Sequence, residues 1–303
     1  MNAQRLIATT AALMAYEKGL LAMDESTPIC DKRFAKLGIP QSESARRAYR
    51  ELIVTTPGLN ESISGAILYD ETIRQQKKDG TPYIKILIDD GHHSRHQGRC
   101  RRQGHGRASR RKNHRKVGRL RDRLMEYSQM GARFAKWRAV IAIGDDIPSR
   151  ACIEANAHAL ARYAALCQET GLVPIVEPEV LMEGAHSLQR CYEVTEQVLR
   201  TVFNQLFRQR VMLEGMLLKP NMVLPGLIFP KQETVDEVAD ATVRCLLRAV
   251  PAAVQGIAFL SGGQSGELAS ARLNAMNFRF KSRLPWGLGF SFARAIQQPA
   301  LET

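Results

Sequence analysis

A lysine stands inside an apolar run, "GMLLKPNM", spanning Gly215 to Met222. Burying an ammonium is costly unless it is paired or neutral. A second cation nearby and a low-dielectric pocket would depress the pKa of Lys219 and leave a free amine able to attack a carbonyl, which is Schiff-base chemistry. Other polar residues close apolar runs in the same way. One run ends in Asp24-Glu25-Ser26, one carries Lys136 and Arg138, one carries Glu177 and Glu179, one ends in Ser261-Gly262-Gly263, and the last holds Ser291 and Arg294. Each has a plainer alternative: a strand lysine can be a snorkelling end or half of an ion pair, Glu-Pro-Glu a solvated loop entry, and Ser-Gly-Gly-Gln a simple turn. Glycines also let backbone N–H groups approach a phosphate closely.

The elements that must hold these residues are short, β-branched-rich runs alternating with segments of helical period, the pattern of parallel strands separated by helices. Seven strand-like runs can be read: Lys18 to Ser26, Ser64 to Glu71, Ala132 to Ile141, Leu172 to Val180, Gly215 to Val223, Gly256 to Ser265 and Trp286 to Ala295. Helical stretches cover Ser149 to Thr170, Ser187 to Gln209 and Gln232 to Ala249. Seven such strands nearly fill an eight-stranded (β/α)8 TIM barrel, in which strand C-termini converge on one mouth. The expected architecture is α/β, a single barrel domain over residues 1–303 with its third-strand region disrupted. Period two puts Lys136 with Arg138, and Glu177 with Glu179, on shared faces.

The gap falls where the composition changes abruptly. From Gly91 to Val117 the chain carries ten Lys or Arg and no Asp or Glu, so of the net charge of +13 only +3 belongs to the rest. The total charge alone would suggest a polyanionic partner, but basic arms lacking interleaved aromatics are an unusual nucleic-acid surface inside a chain. His92, His93, His96 and Cys100 do not match the spacing of a tetrahedral zinc site, and no metal is expected. The six cysteines lack C-x-x-C spacing, which argues for reduced, buried thiols. No apolar run reaches the roughly 18 residues of a membrane span, and the N-terminus has no leader pattern, so the expected location is the cytoplasm.

Six stretches, "LLAMDEST", "FAKWRAVI", "VPIVEPEV", "LLKPNMV", "FLSGGQS" and "FSFARA", resemble in order the class I (Schiff-base) fructose-bisphosphate aldolases. The resemblance runs from Leu6 to Leu301 outside the basic tract. It implies a lyase that reversibly cleaves fructose 1,6-bisphosphate to dihydroxyacetone phosphate and glyceraldehyde 3-phosphate, without a cofactor. It implies Lys219 as the Schiff-base lysine, Glu177 as general acid/base with Glu179 in support, and Asp24 as acceptor of the C4 hydroxyl proton. Lys136 would keep the carboxylates ionised and Lys219 neutral. Arg33, Arg138, Ser261, Gly262, Gly263, Ser291 and Arg294 are implied as phosphate ligands. The resemblance further implies a sugar bisphosphate as substrate and a homotetramer.

Two departures stand out. Relatives continue past the position of Thr303 into a tail, so binding and imine formation are expected to survive here while turnover slows. In the basic tract, where the family has a third strand ending in Gly-Ile-Lys-Val-Asp, back-translation with suitable synonymous codons read one base later returns Gly-Ile-Ile-Pro-Gly-Ile-Lys-Val-Asp. A displaced reading frame is therefore the favoured reading of Gly91 to Val117. The alternative is a catalytically impaired aldolase-like protein that binds nucleic acid or another polyanion.

Overall fold

The computed structural model describes residues 2–15, 18–89, 95–96 and 113–302. Eight parallel strands are present among them: β1 (Gly19–Met23), β2 (Ile63–Leu68), β3 (Arg95–His96), β4 (Phe134–Ile141), β5 (Val173–Val180), β6 (Leu217–Leu218), β7 (Gly256–Phe259) and β8 (Gly287–Phe290). They order as β1-β2-β3 and β4-β5-β6-β7-β8, each strand beside its successor. The seven runs read from the sequence all contain strands. The third position, expected to be empty, is occupied, although by only two residues: Arg95 and His96 continue the sheet beside Ile67 and Leu68. Most of the basic tract, including the candidate zinc residues His92, His93 and Cys100, lies outside the described residues.

Between the two groups β3 lies beside β4, and the seam between β8 and β1 is closed by groups beyond β8. The Ala22 N–H donates to the Phe292 carbonyl at 3.0 Å, and the Gln297 amide donates to the Ala22 carbonyl. Gly19 permits this closure, because a Cβ there would lie 2.3 Å from the Phe290 ring. The strands therefore form a (β/α)8 barrel.

Local signals explain the element ends. Ser149 and Ser187 cap the helices Arg150–Glu169 and Leu188–Arg208 with their hydroxyls. Thr234 and Glu237 form a reciprocal capping box, so the helix expected from Gln232 begins instead at Val235 and runs to Ala249. β6 is shorter than its apolar run because Pro220 has no N–H to continue the ladder. Strand β5 is buried along its whole length, as a parallel strand covered on both faces must be.

The barrel interior has a layered composition that follows from period two. Its lower part is an apolar cluster including Leu20 and Ala22 of β1, Phe134 of β4, Val173 and Ile175 of β5, Leu217 of β6 and Ala258 of β7. Leu6 and Leu13 of the helix Ala3–Leu13 join it from below. Two residues further along the same faces come Asp24, Lys136, Glu177 and Lys219. The strand pattern that fills the bottom of the barrel with hydrocarbon thus delivers charge to its top. Four of the described cysteines are buried as expected, whereas Cys152 is exposed.

Candidate active site

Four charged side chains meet at the top of the interior. The Lys136 ammonium lies 3.0 Å from an Asp24 carboxylate oxygen and 2.5 Å from Glu177 Oε2. Glu177 Oε1 lies 3.2 Å from Lys219 Nζ. Lys136, Glu177 and Lys219 are each no more than 3% exposed, so these ions compensate one another with little help from water. Parallel register makes the meeting possible: Arg138 stands opposite Glu177, and the Lys219 N–H donates to the Val176 carbonyl.

The arrangement separates the two lysines. Burial depresses the Lys219 pKa, Lys136 adds to the depression, and the opposing pull of Glu177 does not restore it. Lys136 suffers the same burial, but Asp24 and Glu177 together raise its pKa above the ordinary lysine value. One lysine is thereby biased toward the free amine and the other held as a cation. The carboxyls diverge as well. Burial pushes Glu177 upward, yet Lys136, Lys219 and Arg138 outweigh it and leave its pKa below the ordinary value. Glu179, ion-paired to Arg138, is nonetheless raised by burial. Lys136 thus lowers the Glu177 pKa, while Glu179 has a different environment.

The second group of residues lies beyond β7 and β8. Ser261 to Gln264 form a tight turn closed by the Gln264 N–H on the Ser261 carbonyl, with Gly262 at φ +58° and Gly263 at φ +88°. Only glycine adopts two such angles in succession without strain. A Cβ on Gly263 would lie 3.6 Å from Arg294 Nη2, so the guanidinium reaches over the turn. Ser291 is 1% exposed and its hydroxyl has no protein partner. Its N–H extends the ladder to the Phe259 carbonyl.

Arg33 sits apart from this turn, on the helix Thr27–Lys36. Its Nη1 contacts Glu25 at 2.5 Å and Gln297 at 2.9 Å, while Nε and Nη2 are buried without a partner. Gln297 lies one helical turn beyond Arg294, so the last helix, Arg294–Glu302, touches both cationic groups. Arg138 keeps part of its side chain exposed at the rim.

Sequence reading missed the supports. Arg50, 1% exposed, donates to the Met23 and Glu25 carbonyls and to the Glu25 carboxylate, bracketing Asp24 on both sides. Asn221 accepts from the Val180 N–H and donates to the Met222 carbonyl, tying the loop after Lys219 to the end of β5. The only available signals were an arginine at an inward helix position and an asparagine directly after a strand-ending proline.

A buried amine next to a carboxylate whose pKa is lowered, in a barrel that also holds unpartnered polar groups on Ser291 and Arg33, suits condensation with an anionic carbonyl compound. Comparison with known proteins agrees. The family model for class-I fructose-bisphosphate aldolase matches residues 5–303. The chain is 53% identical to a Xanthomonas campestris protein named as a class 1 fructose-bisphosphate aldolase, covering 100% of this chain and 90% of that one. It is 48% identical to Arabidopsis thaliana fructose-bisphosphate aldolase 6, cytosolic, covering 99% and 84%. A solved fructose-bisphosphate aldolase from Plasmodium falciparum superposes with a TM-score of 0.90 at 40% identity, covering 99% and 86%. These matches support aldolase function and give no support to the polyanion-binding alternative. The chain belongs to the class I fructose-bisphosphate aldolases, lyases that act on a sugar bisphosphate.

Proposed function

We propose that Lys219 attacks the C2 ketone of fructose 1,6-bisphosphate, or of dihydroxyacetone phosphate in the reverse direction. The observation that carries this is the pairing of a depressed, buried amine with Glu177 at 3.2 Å. Glu177 transfers protons as the carbinolamine forms and then loses water, leaving a protonated imine. Asp24 accepts the C4 hydroxyl proton. The electrons of the breaking C3–C4 bond flow into the imine, releasing glyceraldehyde 3-phosphate and an enamine, which is protonated at C3 and hydrolysed to dihydroxyacetone phosphate. The imine is the electron sink, so this scheme assigns no cofactor and no metal. Lys136 keeps Glu177 and Asp24 charged, and Glu179 supports Glu177 from the same face.

Ser261, Gly262, Gly263, Ser291 and Arg294 hold one phosphate. The free Ser291 hydroxyl and the positive-φ turn beneath Arg294 support this reading. Arg33, through its unpaired edge, and Arg138, at the rim, hold the other. We also read residues 1–303 as one barrel domain, working as a homotetramer in the cytoplasm. The cytosolic names of two Arabidopsis relatives support the location. Sedimentation velocity tests the assembly.

Borohydride reduction in the presence of dihydroxyacetone phosphate, followed by peptide mass spectrometry, tests the chemistry. Covalent capture is expected at Lys219. Capture at another lysine, or none, overturns the assignment.

A further inference from the structure

Resting on the reading of Ser261 to Gly263 as a phosphate turn, we infer that Arg272 is a positioning residue that fixes the orientation of that turn through the carboxamide of Gln264. Arg272 belongs to the helix Gly266–Phe280 and is 4% exposed. Its Nη1 donates to Gln264 Oε1 at 2.7 Å. Gln264 Nε2 in turn donates to the Ser261 carbonyl at 2.8 Å.

The order of donors along this relay follows from chemistry. A guanidinium has donors only, so the oxygen end of the Gln264 amide must face Arg272. The nitrogen end must then face Ser261. Without Arg272 the amide would be free to turn over, presenting an acceptor to a carbonyl and losing the contact.

The peptide plane carries the consequence into the turn. A trans peptide holds its C=O and the following N–H in one plane, pointing in opposite directions. Pinning the Ser261 carbonyl toward Gln264 therefore aims the Gly262 N–H the other way. Two consecutive glycines at φ +58° and +88° do little to resist rotation of that plane. The Gln264 N–H already holds the same carbonyl at 3.1 Å, and the relay adds from the helix a second, directional restraint that the glycine sequence lacks.

The test compares capture of two ketones by borohydride in the full-length protein: dihydroxyacetone phosphate and unphosphorylated dihydroxyacetone. Arg272→Met is expected to raise the half-saturating dihydroxyacetone phosphate concentration about 10-fold, the scale of a lost charge-assisted hydrogen bond, and to leave dihydroxyacetone unchanged. Arg272→Lys, with a donor still available, falls between the two. Gln264→Glu keeps an acceptor for Arg272 but offers Ser261 no donor, so it behaves like Arg272→Met. If Arg272→Met does not fold, the lysine and glutamate variants decide the matter.

Two results overturn the inference. One is equal half-saturation in wild type and variants, and the other is an equal loss for both ketones, which marks a merely structural role. A wild-type protein that captures both ketones at the same concentration instead removes the phosphate-turn reading and the inference with it. A wild type that discriminates while the variants match it removes only the role of Arg272.

Discussion

Two regions of the barrel mouth use opposite means to build polar sites. On the side of β4 and β5, eight-residue strands carry Lys136 and Glu177, Asp24 and Lys219 follow the ends of β1 and β6, and the charge is compensated group by group: Lys136 meets Asp24 and Glu177, and Glu177 meets Lys219. On the side of β7 and β8, four-residue strands give way to a glycine turn, a serine and a helix-borne arginine. The Ser291 hydroxyl there is buried without a protein partner. A site that compensates its own ions tunes protonation states, while a site with unspent donors waits for an anion. The division of labour proposed above, between the reacting carbon and the phosphate, rests on this contrast.

Lys219→Met breaks the first region most completely. Borohydride capture is expected to vanish and turnover to fall below detection, while the thermal unfolding midpoint changes little because methionine fills similar apolar volume. Glu177→Gln, retaining shape but not charge, is expected to lower kcat by about 10²–10⁴-fold. Steady-state and single-turnover rates check this. Unchanged rates would assign the proton transfer elsewhere.

Lys136→Met separates catalysis from stability. Imine formation should rise with pH through the depressed Lys219 pKa and then level off. Removing the Lys136 cation should shift that rising limb to higher pH, since Lys136 helps depress the Lys219 value. Stability is expected to fall by roughly 3–5 kcal/mol, because carboxylates are left buried with less compensation. The sign of each contribution can be worked out. Glu177, depressed in the fold, adds stability above the ordinary carboxyl pKa and loses it as pH falls through the lowered value. Lys136, raised, adds stability below the ordinary lysine pKa and loses it as pH rises through the higher value. Urea titrations across pH should show the alkaline limb flattened in the variant.

Gly263→Ala perturbs only the second region. A side chain at φ +88° costs about 1 kcal/mol of backbone strain, and the new Cβ lies near Arg294. The Michaelis constant should rise several-fold with kcat nearly unchanged. A fall in kcat with an unchanged Michaelis constant would erase the distinction between the two regions.

The difference in construction also explains what could be read beforehand. Residues on strands obey period two, so the sequence shows Lys136 sharing a face with Arg138 and Glu177 with Glu179, while the roles of Asp24, Lys136, Glu177 and Lys219 rest on the family resemblance. Arg33, Arg50, Gln264, Arg272 and Gln297 reach the mouth from helices or turns, and their contacts depend on packing angles that no short sequence window contains. The Gln264 relay joins residues close in sequence, yet helical periodicity alone makes Arg272 an ordinary solvated arginine. The basic tract was legible mainly as a break in composition. Its third-strand position is held by Arg95 and His96, and sequencing the gene across the codons for Asp89 to Leu120 would test the displaced-frame reading directly.

The seam at Ala22 has a consequence in time. The first strand obtains its partner on one side from β2, but on the other side from residues beyond β8, with Gln297 reaching Ala22 across 275 positions of chain. At a ribosomal pace of about 5–20 residues per second, β1 waits on the order of 15–60 s for that partner. Throughout the interval the half carrying Asp24 presents an open edge, beside a barrel that does not yet exist. That edge stays open until residues 292–297 have been made.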